Sequence, residues 1–387
     1  MISPRQWLKK ARQHLWTIVL GTGLAFSALH WAGQPLIDYI ILPQLGLIII
    51  ALCPVFYFMK YPRKLDFGPK YIWIPMLVIV ASIAARLTVD FSVYALAGAF
   101  YGVALFGVYL LSRQLGKGIF LVFIPFIVIV AISCIINGVR NPGVFTGGII
   151  TNYCASAGFM IFGVMVSQFR WRWVLATLVL VALFFVGALE GLFAVIVLGI
   201  IILARRDWSR KILLPIGLLV VAVTLWGSLG HFAPLWGKYN IDVLLGMSRG
   251  EIAITDDTVN KATTGRWVNI VNRMSNIQPL GREFWIIMPR TDKVDYGYHE
   301  FSSPDEEPVH NVPLIIVDQI GPVAAGAWLF IAIVCLVTTR WKYAWSAIFA
   351  LSVFDHFIWT QFAPYWWVLA GVSTSVAIKN DYIFKGE

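Results

Sequence analysis

The sequence predicts an all-α integral membrane protein of about twelve transmembrane helices, with one large loop outside the cytoplasm between spans 9 and 10. Three observations predict this fold class. Of the 387 residues, 59% are hydrophobic and only 13% are charged, whereas a soluble domain carries roughly 25% charged residues. Apolar runs long enough to cross a bilayer, about 20 residues each, recur along the chain. Lys and Arg are also concentrated in every second connection between these runs, which is typical of the cytoplasmic loops of membrane proteins.

The spans are assigned from uninterrupted apolar sequence. The stretch 172–204 is too long for one helix and holds Gly187, Glu190 and Gly191 in its middle, so we interpret it as two short spans. With that stretch counted twice, the twelve predicted spans lie near residues 14–32, 35–58, 71–88, 92–112, 117–138, 146–167, 172–204, 212–230, 311–338, 343–358 and 361–378.

The basic residues orient these spans. With the N-terminus in the cytoplasm, 20 of the 30 basic residues fall in connections on the cytoplasmic side, and the short intervening connections are nearly free of charge. The net charge of +10 is therefore explained by orientation and not by a nucleic-acid partner. The C-terminus is expected in the cytoplasm as well.

One connection differs from the others in length and composition. Residues 231–309 hold 11 of the 20 acidic residues and 8 of the 30 basic ones, and they are rich in Trp, Ile and Met. We expect this loop to fold over the outer membrane face, since long loops that are not of low complexity are usually functional. The chain then divides into residues 1–230 with nine helices, the loop 231–310, and residues 311–387 with three helices and a cytoplasmic tail.

Arginines recur in the second half of this loop. The stretch 263–274 has apolar residues at three- and four-residue steps, which predicts a helix capped by one of its first two threonines. Arg266 and Arg273 are two turns apart and so lie near one face, and Arg282 follows Gly281. Two interpretations stay open: an amphipathic helix whose arginines reach lipid phosphates, or an arginine set that holds a diphosphate.

Polar residues also mark the junction between the loop and the next span. His310 and Asn311 stand at the junction, and Asp318 lies about two turns into the apolar run. A histidine here is either a polar anchor or a proton acceptor, because its pKa lies near neutral pH. An ionisable group inside the membrane is costly and is therefore a functional candidate. We expect Asp318 to pair with a basic group or orient a neighbour, or else to line a solvated cleft.

Other charged groups allow two interpretations each. Arg86 and Glu190 fall near the external ends of their spans, where they either face the same cavity as His310 or extend to the interface. The acidic run 305–307 is either a solvated loop face or a cation site with His299. The four cysteines lack metal-ligand spacing, and no nucleotide-binding motif occurs. Neither a metal nor a cofactor is expected.

Together these residues resemble the O-antigen ligase and O-antigen polymerase superfamily, whose members have about twelve spans and one large periplasmic loop. The family's loop typically reads Thr/Ser-Gly-Arg, then Trp or an apolar residue, then Pro-Leu-Gly, matched here by 264–267 and 279–281. It ends with His-Asn, an acidic residue and Gly, matched by 310–311, Asp318 and Gly321. The topology resembles the family over nearly the whole chain, and the motifs cover about 80 residues of it.

One departure from the family pattern concerns phosphate binding. Many members carry Ser-Arg at the start of the eighth span, where this chain has Leu189-Glu190. The arginine there helps to hold the diphosphate, so another arginine would have to replace it, with Arg86, Arg140 and Arg249 as candidates. Ala324 stands where ligases often have Gly, Thr or Tyr.

The resemblance implies metal-independent glycosyl transfer at the periplasmic face of the bacterial inner membrane. The donor would be a glycan on undecaprenyl diphosphate, and the acceptor hydroxyl would belong to lipid A-core in a ligase of lipopolysaccharide biosynthesis or to another carrier-linked glycan in a polymerase. His310 would be the catalytic base, and Arg266 would hold the leaving diphosphate. The residues implied to bind diphosphate or other parts of the substrates are Arg86, Arg273, Arg282, Asn311 and Asp318.

The competing class is a transporter of lipid-linked glycans. Twelve spans suit a transporter, but the chain has no detectable internal repeat, and its charged candidates cluster at the outer face and not near mid-membrane. Within the enzyme class, the His-Asn pattern favours a ligase over a polymerase, whereas Leu189-Glu190 weakens that preference. Enzymes that glycosylate proteins share the loop motifs, so the acceptor stays open.

Overall fold

The computed structural model describes most of the chain's apolar first quarter, parts of the long loop, and the helices that follow it. The described residues are 14–24, 26, 42–89, 91–116, 241–263, 266–275, 277–281, 311–339 and 363–375, with single positions in 118–135, 174–182 and 345–352. Every regular element in these residues is helical. The all-α part of the predicted fold class is confirmed there, while the number of twelve helices and the division at 230 and 310 stay predictions.

Ten α-helices and two short 3-10 helices are described. The α-helices are α1 (His14–Leu24), α2 (Leu42–Lys60), α3 (Lys70–Ala85), α4 (Val93–Leu115), α5 (Ile241–Ser248), α6 (Asp256–Ala262), α7 (Arg266–Met274), α8 (Val312–Ile320), α9 (Pro322–Thr338) and α10 (Ala363–Ser373). The 3-10 helices are Pro62–Lys64 and Arg86–Thr88.

Two of the described helices are long and apolar enough to cross a membrane, by length and composition. They are Lys70–Thr88, which joins α3 to its 3-10 extension, and Ala95–Leu115 within α4. Their bounds agree with the predicted spans 71–88 and 92–112. Shorter apolar helices, α1, α2 and α9, overlap three further predicted spans.

Helix α4 lies at the centre of the described bundle, and α2, α3 and α10 all pack against it. Small residues permit close approach at these contacts. A Cβ added at Gly371 of α10 would lie 2.5 Å from the carbonyl oxygen of Tyr109, and one added at Gly107 would lie 3.0 Å from the Pro54 ring. Helix α9 packs along α3, and α8 packs on α9, so α8 is joined to this bundle through α9.

The apolar run predicted as one span over 311–338 is two helices in the structure. Gly321 ends α8 with a φ of +92° and a ψ of 167°, a combination that is essentially restricted to glycine. Pro322 then begins α9, where its missing N–H costs no helical hydrogen bond. The prediction of a continuous helix is wrong at this point, and the Gly-Pro dipeptide was the signal for the break.

A buried arginine joins three segments at one end of the bundle. Arg113 of α4 is 3% exposed, and its Nη2 lies 2.7 Å from the Asp66 Oδ2 in the α2–α3 connection. Its Nη1 donates to the carbonyl of Thr374 after α10, while the Ser375 hydroxyl donates to the carbonyl of Arg113 at 2.6 Å. The backbone of Gly68 lies directly against the guanidinium, so close that a Cβ at this position would overlap it. We name these five residues the Arg113 cluster.

Candidate functional site

The structure gathers several of the predicted site residues around α8. Four of them are described with their side chains, namely Arg86, Arg273, Asn311 and Asp318. For Arg266, the backbone begins α7, and the side chain lies outside the described residues, as do Arg282 and His310. The alternative cation site at 305–307 with His299 also lies outside the described residues.

A buried ion pair joins the loop helix α7 to α8. The Arg273 Nη1 lies 2.7 Å from the Asp318 Oδ2, and the two side chains are 9% and 5% exposed. Three roles are open for Asp318 from its sequence, which are pairing with a basic group, orienting a neighbour and lining a cleft, and the structure shows an ion pair with Arg273. The arginine therefore faces into the protein, not toward lipid phosphates at the surface.

Helix α7 is itself fixed by α6. The Thr263 hydroxyl donates to the carbonyl of Val259 at 2.8 Å and accepts from the amide of Trp267 at 3.1 Å. The Trp267 indole N–H also donates to the Asp256 carboxylate at 2.8 Å. The predicted helix is thus confirmed over Arg266–Met274, with Thr263 satisfying an amide of its first turn. These contacts position the first turn of α7, which begins at Arg266.

Two glycines let the segment 279–281 lie directly against the end of α8. Gly281 has a φ of +72°, and a Cβ there would overlap the backbone of Gln319. Gly321 has a φ of +92°, and a Cβ there would overlap the carbonyl oxygen of Pro279. Backbone meets backbone at both positions, so no side chain fits between the loop and the helix end. The two loop motifs of the resemblance are therefore in contact in the structure.

Arg86 holds the same segment from the side of α3. Its guanidinium donates to the carbonyls of Gly281 and Leu280, the second at 3.3 Å, and the residue is 3% exposed. Buried backbone carbonyls outside a helix need such donors, because an unsatisfied one costs free energy. Two positions are open for Arg86 from its sequence, a cavity or the interface, and the structure places it inside the protein against the Pro-Leu-Gly segment.

Asn311 begins α8. Its side-chain oxygen accepts from the amide of Leu314 at 3.1 Å, which satisfies one of the four free N–H groups at the helix start. The described contact of Asn311 is thus a capping contact. His310 is the preceding residue in the sequence, so the cap fixes the point at which the chain carrying His310 joins α8.

The contacts among these residues were largely missed by reasoning from sequence. Arg86 and Gly281 are 195 positions apart, and no periodicity connects them. The sequence identifies Gly281 and Gly321 as parts of the family motif, and Gly281 also as the residue before Arg282, but it does not reveal the packing that requires glycine at both positions. The glycine followed by proline at 321–322 was the one local signal that could have revealed the helix break beside the site.

The described part of the site is a clamp. The ion pair and the two glycine contacts fix the described loop residues 266–275 and 277–281 to α8, and the Arg86 hydrogen bonds fix the second of these segments to the end of α3. Among the described residues, no group of three or more His, Cys, Asp or Glu side chains has the arrangement of a metal site. We name Arg86, Arg273, Gly281, Asp318 and Gly321 the clamp.

Comparison with known proteins does not place the chain in a family: it matches no protein-family model, and it shows no significant similarity to a curated protein or to a solved structure.

Proposed function

We propose that the chain is an integral membrane glycosyltransferase of the bacterial inner membrane. It moves a glycan from undecaprenyl diphosphate to an acceptor hydroxyl at the periplasmic face, and the first candidate activity is that of an O-antigen ligase in lipopolysaccharide biosynthesis. The reaction needs neither metal nor cofactor, because an arginine set supplies positive charge to the leaving diphosphate.

The observation that carries the proposal is the clamp. The motif around Arg266 and the motif around His310 are more than 40 residues apart in the sequence, yet the ion pair and the two glycine contacts hold both to one short helix. Arg282 follows Gly281 directly and His310 precedes Asn311 directly. A fixed spacing between arginines and a histidine is what acid–base chemistry on a diphosphate-linked sugar requires.

In the proposed reaction, His310 takes the proton of the acceptor hydroxyl. The hydroxyl oxygen attacks the anomeric carbon of the donor sugar, and the bond from that carbon to the diphosphate oxygen breaks. Undecaprenyl diphosphate leaves with the bonding electrons, and Arg266 and Arg282 stabilise the negative charge that grows on it.

Arg273 and Arg86 take a positioning role in this proposal. Arg273 is neutralised by Asp318 at 2.7 Å, and the pair is almost fully buried, which leaves it poorly suited to receive a diphosphate. Arg86 is committed to backbone carbonyls. The residues that touch substrate in this proposal are Arg266, Arg282 and His310, which adjoin the clamp segments in the sequence.

The geometry of α3 supports a membrane position. By helical rise, Lys70–Thr88 is about 28 Å long, close to the ~30 Å hydrocarbon core of a bilayer. One end of this segment meets the clamp through Arg86, and the other end leads to the Arg113 cluster. Apolar side chains between the two ends, such as Ile74, Phe100 and Val103, are exposed on the surface of the protein. The clamp end is the periplasmic one in this proposal.

The test is the lipopolysaccharide gel profile of a host strain in which this gene is deleted and then restored on a plasmid. We expect the deletion to leave lipid A-core without O-antigen, and polymer to accumulate on the undecaprenyl carrier. The unaltered gene should restore the profile, and His310→Ala should not, although its protein level in the membrane is normal. His14→Ala, the same substitution on an exposed histidine of α1, is the matched control and should restore it fully.

The other outcomes separate the alternatives. Lipid A-core bearing a single repeat in the deletion strain would assign the chain as a polymerase of the same superfamily. Full restoration by His310→Ala would remove the catalytic base from the proposal. An unchanged profile in the deletion strain would exclude both O-antigen activities and favour transport or another acceptor.

A further inference from the structure

The α2–α3 connection presents an unbalanced positive surface. Residues 60–70 contain four basic residues, all exposed, and one acidic residue, Asp66. Asp66 is engaged by Arg113, so its negative charge does not offset the four. Within the described part of the chain, none of these four basic side chains forms an ion pair. We name them the basic loop face; its members are Lys60, Arg63, Lys64 and Lys70.

Two of these cations converge on the same aromatic side chain. The Lys64 Nζ lies 5.0 Å from the centroid of the Tyr61 ring and 6.0 Å from that of Tyr57, and the Lys60 Nζ lies 5.5 Å from the Tyr61 centroid. Cation–π contact orients both ammonium groups. Two ammonium groups are thus placed beside the same ring, Tyr61.

The backbone that carries this face is held in place. The Asp66 carboxylate accepts from the amide of Gly68 at 2.9 Å, and the Tyr109 hydroxyl of α4 donates to the carbonyl of Phe67 at 2.9 Å. Together with Arg113, these contacts fix the loop to the bundle before any ligand arrives. A preorganised loop loses little conformational freedom on binding, which favours affinity.

Apolar side chains border the basic loop face. Met59, Leu65 and Phe67 are 72%, 45% and 40% exposed. A soluble anion gains nothing from such neighbours, whereas a phospholipid places its headgroup against the cations and its acyl chains against apolar surface. A lipid ligand requires such a combination of cations and exposed apolar residues at a helix end.

We propose that the basic loop face binds the phosphate headgroup of an anionic phospholipid in the cytoplasmic leaflet. Lys60 and Lys64 contact the phosphate, and Arg63 and Lys70 add attraction at longer range. The inference rests on the membrane placement proposed above, in which the Arg113 end is cytoplasmic, but it does not depend on glycosyl transfer. The lipid then anchors α2 and α3 on the side opposite to the clamp.

The experiment is native mass spectrometry of the full chain purified in detergent, titrated with dioleoyl phosphatidylglycerol and with dioleoyl phosphatidylcholine. We expect phosphatidylglycerol to bind more tightly. Each charge removed should weaken binding about fivefold, so Lys64→Gln is expected to lose about fivefold and Lys60→Gln/Lys64→Gln about 30-fold. Lys64→Arg should stay within about twofold of the unaltered chain. Lys261→Gln, which removes one exposed lysine on α6, is the matched control and should leave binding unchanged.

Three results would overturn the proposal. The first is equal affinity for the two lipids. The second is an equal loss in Lys64→Gln and Lys261→Gln, which would mean that only net charge matters. The third is displacement of phosphatidylglycerol by an equal concentration of glycerophosphoglycerol, its headgroup without acyl chains, which would indicate a site for soluble anions. The His310→Ala chain should bind lipid normally, so a failure of the enzymatic proposal is seen separately.

Discussion

The buried ion pair between α7 and α8 gives the sharpest prediction. Arg273→Met removes the positive charge and keeps most of the side-chain volume. Asp318, which is 5% exposed, would then be an ionised group in the protein interior without its arginine. Removing one side of a buried ion pair costs about 3–5 kcal/mol, because the remaining charge stays buried without the opposite charge that faced it.

The double variant Arg273→Met/Asp318→Leu separates pairing from burial. Replacing both partners with apolar residues of similar size leaves no charge to desolvate, so the free energy of unfolding should return to within about 1 kcal/mol of the unaltered chain or exceed it. The coupling between the two positions is then about 3 kcal/mol or more, which a double-mutant cycle measures directly.

The chain contains a matched control for this cycle. Lys261 and Asp257 of α6 have the same N–O distance, 2.7 Å, but are 64% and 71% exposed. Lys261→Met should cost only about 0.3–0.5 kcal/mol, since water solvates the remaining carboxylate. The free energies are measured by titrating the purified protein with sodium dodecyl sulfate in mixed micelles, with intrinsic tryptophan fluorescence as the signal.

Two results would contradict the reasoning. One is a loss in Arg273→Met no larger than that in Lys261→Met, which would mean that burial of the pair does not matter. The other is a double variant as unstable as Arg273→Met alone, which would mean that the arginine contributes by packing and not by pairing. In the glycosyl-transfer proposal, Arg273→Met should also lower transfer, and the double variant should restore part of it.

Three further predictions concern the backbone around the clamp and the bundle, each read as the melting temperature by tryptophan fluorescence. Gly321→Ala should lower the free energy of unfolding by about 1–3 kcal/mol or more, because its φ is +92° and a Cβ would overlap the Pro279 carbonyl oxygen. Gly326→Ala, in open space on α9, should be neutral or stabilising by up to about 1 kcal/mol. Equal melting temperatures for these two variants would contradict the reasoning. Gly371→Ala should cost about 1–3 kcal/mol, because its Cβ would lie 2.5 Å from a carbonyl oxygen of α4, and an unchanged melting temperature would refute that packing. Asn311→Ala should cost about 1 kcal/mol through loss of the cap, whereas Asn311→Asp should retain it; equal losses in the two would show that capping is not the cause.

The sequence predicted the helices whose apolar runs are long and uninterrupted. The span 71–88 agrees with the helical segment Lys70–Thr88, because its apolar run is long and uninterrupted and its one proline, Pro75, lies in the second turn. The helix of the loop was also recognised, through its periodic apolar residues and its capping threonine. Both kinds of signal are local, and they need no knowledge of partners.

The contacts that build the clamp join residues far apart in the chain, so local sequence patterns could not predict them. Pairing with a basic group is one of the roles predicted for Asp318, but the chain holds 30 basic residues, and the arginine that pairs with it lies 45 positions away. The break at Gly321 was not predicted, because the segments on both sides are apolar and together have the length of one membrane span. The apolar composition of a segment predicts that a charge within it is buried, but the residue that pairs with this charge depends on which helices pack together.

Arg86 shows what an isolated arginine near the end of an apolar helix can be for. Its guanidinium donates to the carbonyls of Leu280 and Gly281, which lie outside any helix. The side chain therefore replaces the backbone N–H donors that a helix would provide for these carbonyls. A guanidinium offers five N–H groups in a fixed plane, and here its Nη1 alone donates to two successive carbonyls. In other apolar chains, a solitary arginine of this kind is a reason to look for a nearby irregular segment before looking for an anion.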